Sequence, residues 1–183
     1  MERGRAKYFV LSISDGLFLG LGLSLGVSFF NEYSFTFTSI LLVGITGALS
    51  NMFAIYNAES FTSGMQLLEY KTFLFARDYD PVKLARSKHK KSLKYATESF
   101  LSTMLGSMIV IAPYLVFYSL SGNGVRLASV ASLAISLVVL AMIGSYHHSG
   151  LKSKIKGALK TTGIGVAIAA LSALVGFLLS TFI

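Results

Sequence analysis

The stretch Phe9–Phe30, FVLSISDGLFLGLGLSLGVSFF, decides how the chain is read. It is an unbroken apolar run, and roughly 20 helical residues cross a bilayer. One acid lies inside it, Asp15, followed directly by Gly16. A carboxylate at membrane depth costs about 2.5–3.5 kcal/mol on insertion scales, so it normally faces a protein interior or a water-filled path. Glycines recur at Gly16, Gly20, Gly22 and Gly26. They form two small-xxx-small pairs, which let another helix approach closely. One pair can pack within the protomer and the other against a second copy, so a two-fold dimer with these helices near its axis is expected.

The whole chain shares this character. Its 183 residues are 54% hydrophobic, with a mean hydropathy of +0.68, more apolar than soluble domains. Five apolar stretches stand out, at about 9–30, 36–58, 98–120, 125–146 and 159–182. The expected fold is all-α, a single integral membrane bundle over residues 1–183. A cytoplasmic helical hairpin, residues 59–97, joins the second and third spans. Cysteine is absent, so disulfides and thiolate metal sites are excluded. The basic start, MERGRAKY, runs straight into a full-length span, which is unlike a removable signal peptide.

A formal charge of +8 could point to nucleic acid. In a membrane protein it first reports orientation, because Lys and Arg collect on the cytoplasmic side. Fifteen of the sixteen Lys and Arg fall before the first span, between the second and third, or around the fourth-to-fifth connection; Arg126 is the exception. The N-terminus is therefore expected in the cytoplasm and the C-terminus outside. No nucleic-acid partner is expected. Short outer loops and the lack of a signal suit a prokaryotic inner membrane. The basic segment VKLARSKHKKSLKYAT could lie at anionic headgroups or help gather a solute.

Counting depth from the membrane faces brings the polar residues together. Asp15 lies about 10 Å in from the cytoplasmic end of the first span, at 1.5 Å per residue. Asn51 and Met52 lie about equally far in from the cytoplasmic end of the second. A carboxylate, an amide and a thioether at one depth make a mixed hard and soft metal site. Met52, Tyr56 and Glu59 share one helical face, with Glu59 at the cytoplasmic mouth and Ser50 nearby. The expected metal residues are Asp15, Asn51, Met52 and Glu59, with Ser50, Tyr56 and Glu69 as accessories. Pro113 should kink the third span or be absorbed by its neighbours. The adjacent His147 and His148 point apart on a helix and chelate poorly. No nucleophile–base pair, phosphate loop or zinc motif is visible, so no enzyme and no cofactor are expected. The competing reading is a non-transporting scaffold that holds lipid or a partner through its basic hairpin.

These residues resemble the vacuolar iron transporter family of Fe²⁺ and Mn²⁺ carriers. Asp15-Gly16 matches the family's D-G opening. Ala48, Ser50 and Tyr56 fit its A-x-S…G-E-Y pattern, and Gly106, Pro113 and Tyr114 fit G-x-x-x-P-x-x-P-Y. Gly157, Gly165 and the alanines after them fit its glycine-alanine ending. The chain departs from the pattern in three places: Asn51 stands at the family's methionine, Ile55 at its membrane glutamate and Val110 at its first proline. Glu69, Asp78 and Asp80 are the only acids between Glu59 and Glu98, so the glutamate-rich metal-collecting segment is largely missing. The resemblance implies a dimer packed through the first span, with Fe²⁺ or Mn²⁺ carried on the dimer seam in exchange for protons. Glu59 would then take over the lost carboxylate.

Overall fold

A chain in lipid must satisfy its backbone hydrogen bonds internally, so each apolar stretch becomes a helix. The computed structural model describes residues 3–30, 32–73, 81–117, 124–146 and 150–182, except the side chains of 3–5, 63, 64, 66–73 and 81–85. Its helices are α1 (Arg3–Val27), α2 (Tyr33–Phe73), α3 (Pro81–Phe117), α4 (Gly124–Tyr146) and α5 (Leu151–Phe182), with one 3-10 turn at Ser28–Phe30. All five are long and apolar enough to span a membrane, and no strand occurs among the described residues. The all-α reading therefore holds. The expectations for His147, His148, Asp78, Asp80 and the Glu69 side chain lie outside the described residues.

Two helices outrun their apolar stretches. At 41 residues, α2 is about 60 Å long, twice a hydrocarbon core of about 30 Å. It continues through Glu59 without a break. α3 begins at Pro81, where a fixed φ and a missing N–H suit a first helical position. At the opposite end, the Glu32 carbonyl accepts from the Thr36 backbone N–H and hydroxyl and so starts α2. Gly150, at φ 97°, precedes α5 and accepts from Lys154 N–H.

The interior is small and polar while the perimeter is large and apolar. Ser12, Ser24, Ser99, Ser107, Ser129 and Ser132 are buried, whereas Phe53, Leu115, Val138, Leu171 and Phe177 are exposed. Facing lipid, these apolar side chains are in a matching solvent, and small residues let backbones meet. α1 touches all four other helices. With α3 and α4 it shares a core that includes Leu17, Leu21, Val110, Ile111, Tyr114 and Leu140.

Close approach is set by glycine pairs. A Cβ on Gly16 would overlap the Thr103 carbonyl, and one on Gly106 would overlap the Ile13 carbonyl, so α1 and α3 cross backbone to backbone. Gly176 of α5 meets the Gly26 carbonyl of α1 in the same way. Gly20 faces Val110, and Gly22 faces Ser172. Glycines of both pairs thus meet helices of the same chain, while Gly22 and Gly26 also border an open groove beside α5.

Pro113 is buried inside α3 without ending it. A proline leaves the carbonyl four residues earlier without its helical partner. One residue on, the Val110 carbonyl accepts from Ser132 of α4 at 2.7 Å. Tyr114 ties the same level together: its hydroxyl bonds Ser24 and Ser129, each at 2.7 Å, and its carbonyl accepts from Tyr33 at 2.7 Å. Neighbouring helices absorb the proline.

Gly16→Ala or Gly106→Ala should destabilise the protein by about 1–3 kcal/mol, the usual cost of overpacking. Gly163→Ala is the control, since a Cβ there meets nothing within 4 Å. Thermal unfolding in detergent, followed by helical circular dichroism, reads the difference. Equal melting of Gly16→Ala and Gly163→Ala would show that the crossing is not tight.

Candidate ion site

Asp15 precedes the glycine at which α1 meets α3, so the crossing fixes its depth and its neighbours. The Asn51 side-chain nitrogen, from α2, donates to Asp15 Oδ2 at 3.1 Å and to Thr103 Oγ1 of α3 at 3.0 Å. A carboxylate only accepts, so the amide nitrogen must face it. Its two hydrogens are engaged by these two acceptors, which leaves the amide oxygen as the atom Asn51 can offer a ligand. Three helices are joined at one level by one amide.

Asp15 is half-buried and opens onto a groove of about 410 Å³ between α1 and α2. Phe18, Leu19, Gly47, Ser50, Asn51 and Ala54 complete its lining. A second groove, of about 470 Å³, continues from Leu19 along the same face, between Val43 of α2 and Leu171 to Leu179 of α5. α1 is the floor of both.

Toward the basic end, further polar groups stack in turns. The Ser12 and Ser99 hydroxyls meet at 2.7 Å, both fully buried. One turn on, the Tyr8 hydroxyl donates to Glu59 Oε1. The Tyr8 ring lies 5.7 Å from that of Tyr95, over which Lys91 Nζ sits at 5.7 Å. Tyr56 bonds His89 Nδ1 at 3.2 Å, which ties α2 to α3.

The residues singled out from sequence separate into groups. Asp15 and Asn51 are in direct contact, and Ser50 lines the same groove. Met52 is at the expected depth but is not among the groove's lining residues, because one residue turns a helix by about 100°. Glu59 lies two turns from Asn51 and holds Tyr8. Tyr56 turns to His89. Tyr8, Ser12, Ser99 and Thr103 were missed. Their signal was the spacing of Tyr8, Ser12 and Asp15 at i, i+4 and i+7 on one face. Among the described residues, no three His, Asp or Glu side chains gather closely enough to hold a metal. What Asp15 and Asn51 offer in one copy is a pair of oxygen donors.

A family model described as the VIT family matches residues 66–177, more than half of the chain. No curated protein matches it.

Asn51→Leu strips Asp15 of this donor, and a buried acceptor left unmatched costs about 1–3 kcal/mol. Met52→Leu, a volume-conserving change, should cost less than about 1.5 kcal/mol. Thermal unfolding of the two variants side by side tests the difference; a milder loss in Asn51→Leu would deny the amide its linking role.

Proposed function

The chain belongs to the VIT family, a family of metal-ion transporters, and we propose that it exchanges a divalent cation, Fe²⁺ or Mn²⁺, for protons. The observation that carries the reading is the Asp15 carboxylate held by Asn51 on the floor of an intramembrane groove. An acid at that depth is costly, and a passing cation is a reason to keep it. Asp15 and the Asn51 amide oxygen are the ligands, with the Ser50 hydroxyl beside them. Oxygen donors suit hard divalent ions. Glu59 receives ions at the mouth once Tyr8 lets go.

Two donors do not complete a site for an ion that takes about six. The groove lies on an open face with α1 as its floor, and a second copy packed two-fold across that face would supply a matching pair. In this dimer α1 stays near the axis, and Leu19, Leu23 and the groove walls make the contact, with Gly22 and Gly26 on the same face. The basic end faces the cytoplasm, following the positive-inside rule. Metal binds the ionised carboxylate and so competes with a proton at Asp15. That competition couples cation movement one way to proton movement the other.

Uptake of Mn²⁺ or Fe²⁺ into proteoliposomes under a pH gradient is the test. Asp15→Asn keeps the shape and removes the titration, so it should abolish uptake while the protein still elutes as the folded species. Transport at the normal rate by Asp15→Asn would sink the reading and favour the scaffold. Half-saturation should fall as pH rises, since protons leave the site. Glu59→Gln should raise the half-saturating concentration more than it lowers the limiting rate. Met52→Leu should leave the preference between the two ions unchanged, because Met52 is off the groove.

A reporter fused at the C-terminus should be active only outside the cytoplasm. A cytoplasmic signal would overturn the proposed orientation.

A further inference from the structure

A groove of about 400 Å³ runs between the first turns of α1 and the last turns of α4. That volume is within the usual range of ligand pockets, about 300–1,000 Å³. Ala6, Phe9 and Ile13 line one wall, and Val139, Met142 and Tyr146 line the other. Two residues turn a helix by about 200°, so Ile13 and Asp15 face opposite ways and this groove is separate from the ion groove. α1 and α4 run antiparallel, which puts Ala6 and Tyr146 at the basic end and Ile13 and Val139 deepest. Ala6 to Ile13 and Val139 to Tyr146 each rise about 10 Å, which fits inside one leaflet of a hydrocarbon core about 30 Å thick. α5 packs against α1 farther from the basic end, at Gly22 and Gly26.

We propose that this groove is a site for an anionic phospholipid, with one acyl chain between α1 and α4 and the headgroup on the lysines that begin α5. The apolar walls and the depth suit a hydrocarbon chain entering from the bilayer. The charge at the mouth selects the headgroup. Gly144 of α4 meets Gly157 of α5 backbone to backbone. Tyr146 lies two residues after Gly144, and Ile155 two before Gly157, so these two are level and Lys154 and Lys156 flank the mouth in depth. Lys152, Lys154 and Lys156 are exposed, as is Lys7 beside Ala6. No Asp or Glu follows Glu98 in the chain, so α4 and α5 bring these lysines no counter-charge. A lysine stem can lie along apolar surface while its ammonium reaches a phosphate.

Every lipid-facing surface touches acyl chains. A site differs by selecting one headgroup at one place, so selection is what must be measured. The site stands whether or not the protein exchanges cations for protons. α3 carries a second set of exposed lysines at the same end, Lys90 and Lys94 among them, and the two sets must be told apart.

The chain has no tryptophan, so Phe9→Trp and Met142→Trp each place a single fluorophore on one wall of the groove. Phe53→Trp is the control: it is exposed on α2 and, from the Asp15–Asn51 level, about as deep as Ile13. Each variant is reconstituted in phosphatidylcholine vesicles containing graded amounts of brominated phosphatidylglycerol or brominated phosphatidylcholine, whose chains quench an adjacent tryptophan. Both groove reporters should favour phosphatidylglycerol by about fivefold or more, the effect of one basic residue at an anionic surface. Phe53→Trp should show no preference. Adding Lys152→Gln/Lys154→Gln/Lys156→Gln should bring the groove reporters to parity, and Lys90→Gln/Lys94→Gln should leave their preference intact. Parity at both groove reporters in the parent background overturns the site. So does an equal preference at Phe53→Trp, which would make the attraction a general one of the basic end. No quenching by either lipid in the groove means that something else covers it, such as a second copy, and refutes the lipid. A preference that survives loss of the α5 lysines, or vanishes with those of α3, puts the headgroup elsewhere and overturns the site as well.

Discussion

The structure depends on the backbone-to-backbone crossing of α1 and α3 at Gly16 and Gly106. Each glycine lacks the one atom that would keep the helices apart. The crossing brings Thr103, three residues before Gly106, to the level of Asp15, one residue before Gly16. α2 then reaches both with a single amide at Asn51. A carboxylate on a helix that packed at ordinary distance would have no such neighbours from two other helices. The tight crossing and the half-buried acid are consequences of one local sequence, Asp15-Gly16.

The same crossing sets a register that runs the length of the bundle. α1 and α3 are parallel, and their partners keep a nearly constant separation: 87 residues for Ser12–Ser99 and 90 for Ser24–Tyr114. α1 and α2 are antiparallel, so their partners keep a nearly constant sum, 66 for Asp15–Asn51 and 67 for Tyr8–Glu59. Two hydrogen bonds near opposite ends of α1, Tyr8–Glu59 and Ser24–Tyr114, therefore belong to one rigid arrangement. Pro113 is tolerated within it because Ser132 and the Tyr114 hydrogen bonds hold that end together.

This register explains what could be read in advance. Length and apolarity give five spanning helices, because lipid leaves a spanning segment few other choices. Depth also follows from counting, since rise per residue is fixed, and it put Asp15 beside Asn51. Azimuth did not follow. Asn51 and Met52 share a depth, yet only Asn51 lines the groove with Asp15. In a soluble helix an apolar stripe would mark the inward face. Here the perimeter is as apolar as the core, and the inward faces are marked by serines and glycines. The glycine pairs of α1 showed that close contacts exist, but small residues carry no label saying which helix they meet. In this chain they meet α3 and α5.

What remains to be explained is why a bundle glued by serine hydroxyls and glycine contacts carries an acid at all. Apart from the buried Ser136 hydroxyl, which has no partner among the described residues, the interior serines bond other hydroxyls or backbone carbonyls and could be replaced by apolar packing at modest cost. Asp15 is different, because an ionised carboxylate needs either a cation or several donors to be comfortable at that depth. Among the described residues no basic side chain pairs with it, and Asn51 is the donor it has. A permanent ion pair would have settled the cost and closed the site. One amide leaves the carboxylate under-satisfied, and it faces an open groove. A group held in that condition favours whichever positive species arrives, a proton or a metal ion, and must release one to take the other. The incomplete solvation of Asp15 is therefore the physical basis for the exchange we propose, and it follows from the Asn51 geometry together with the lack, among the described residues, of a fixed counter-charge.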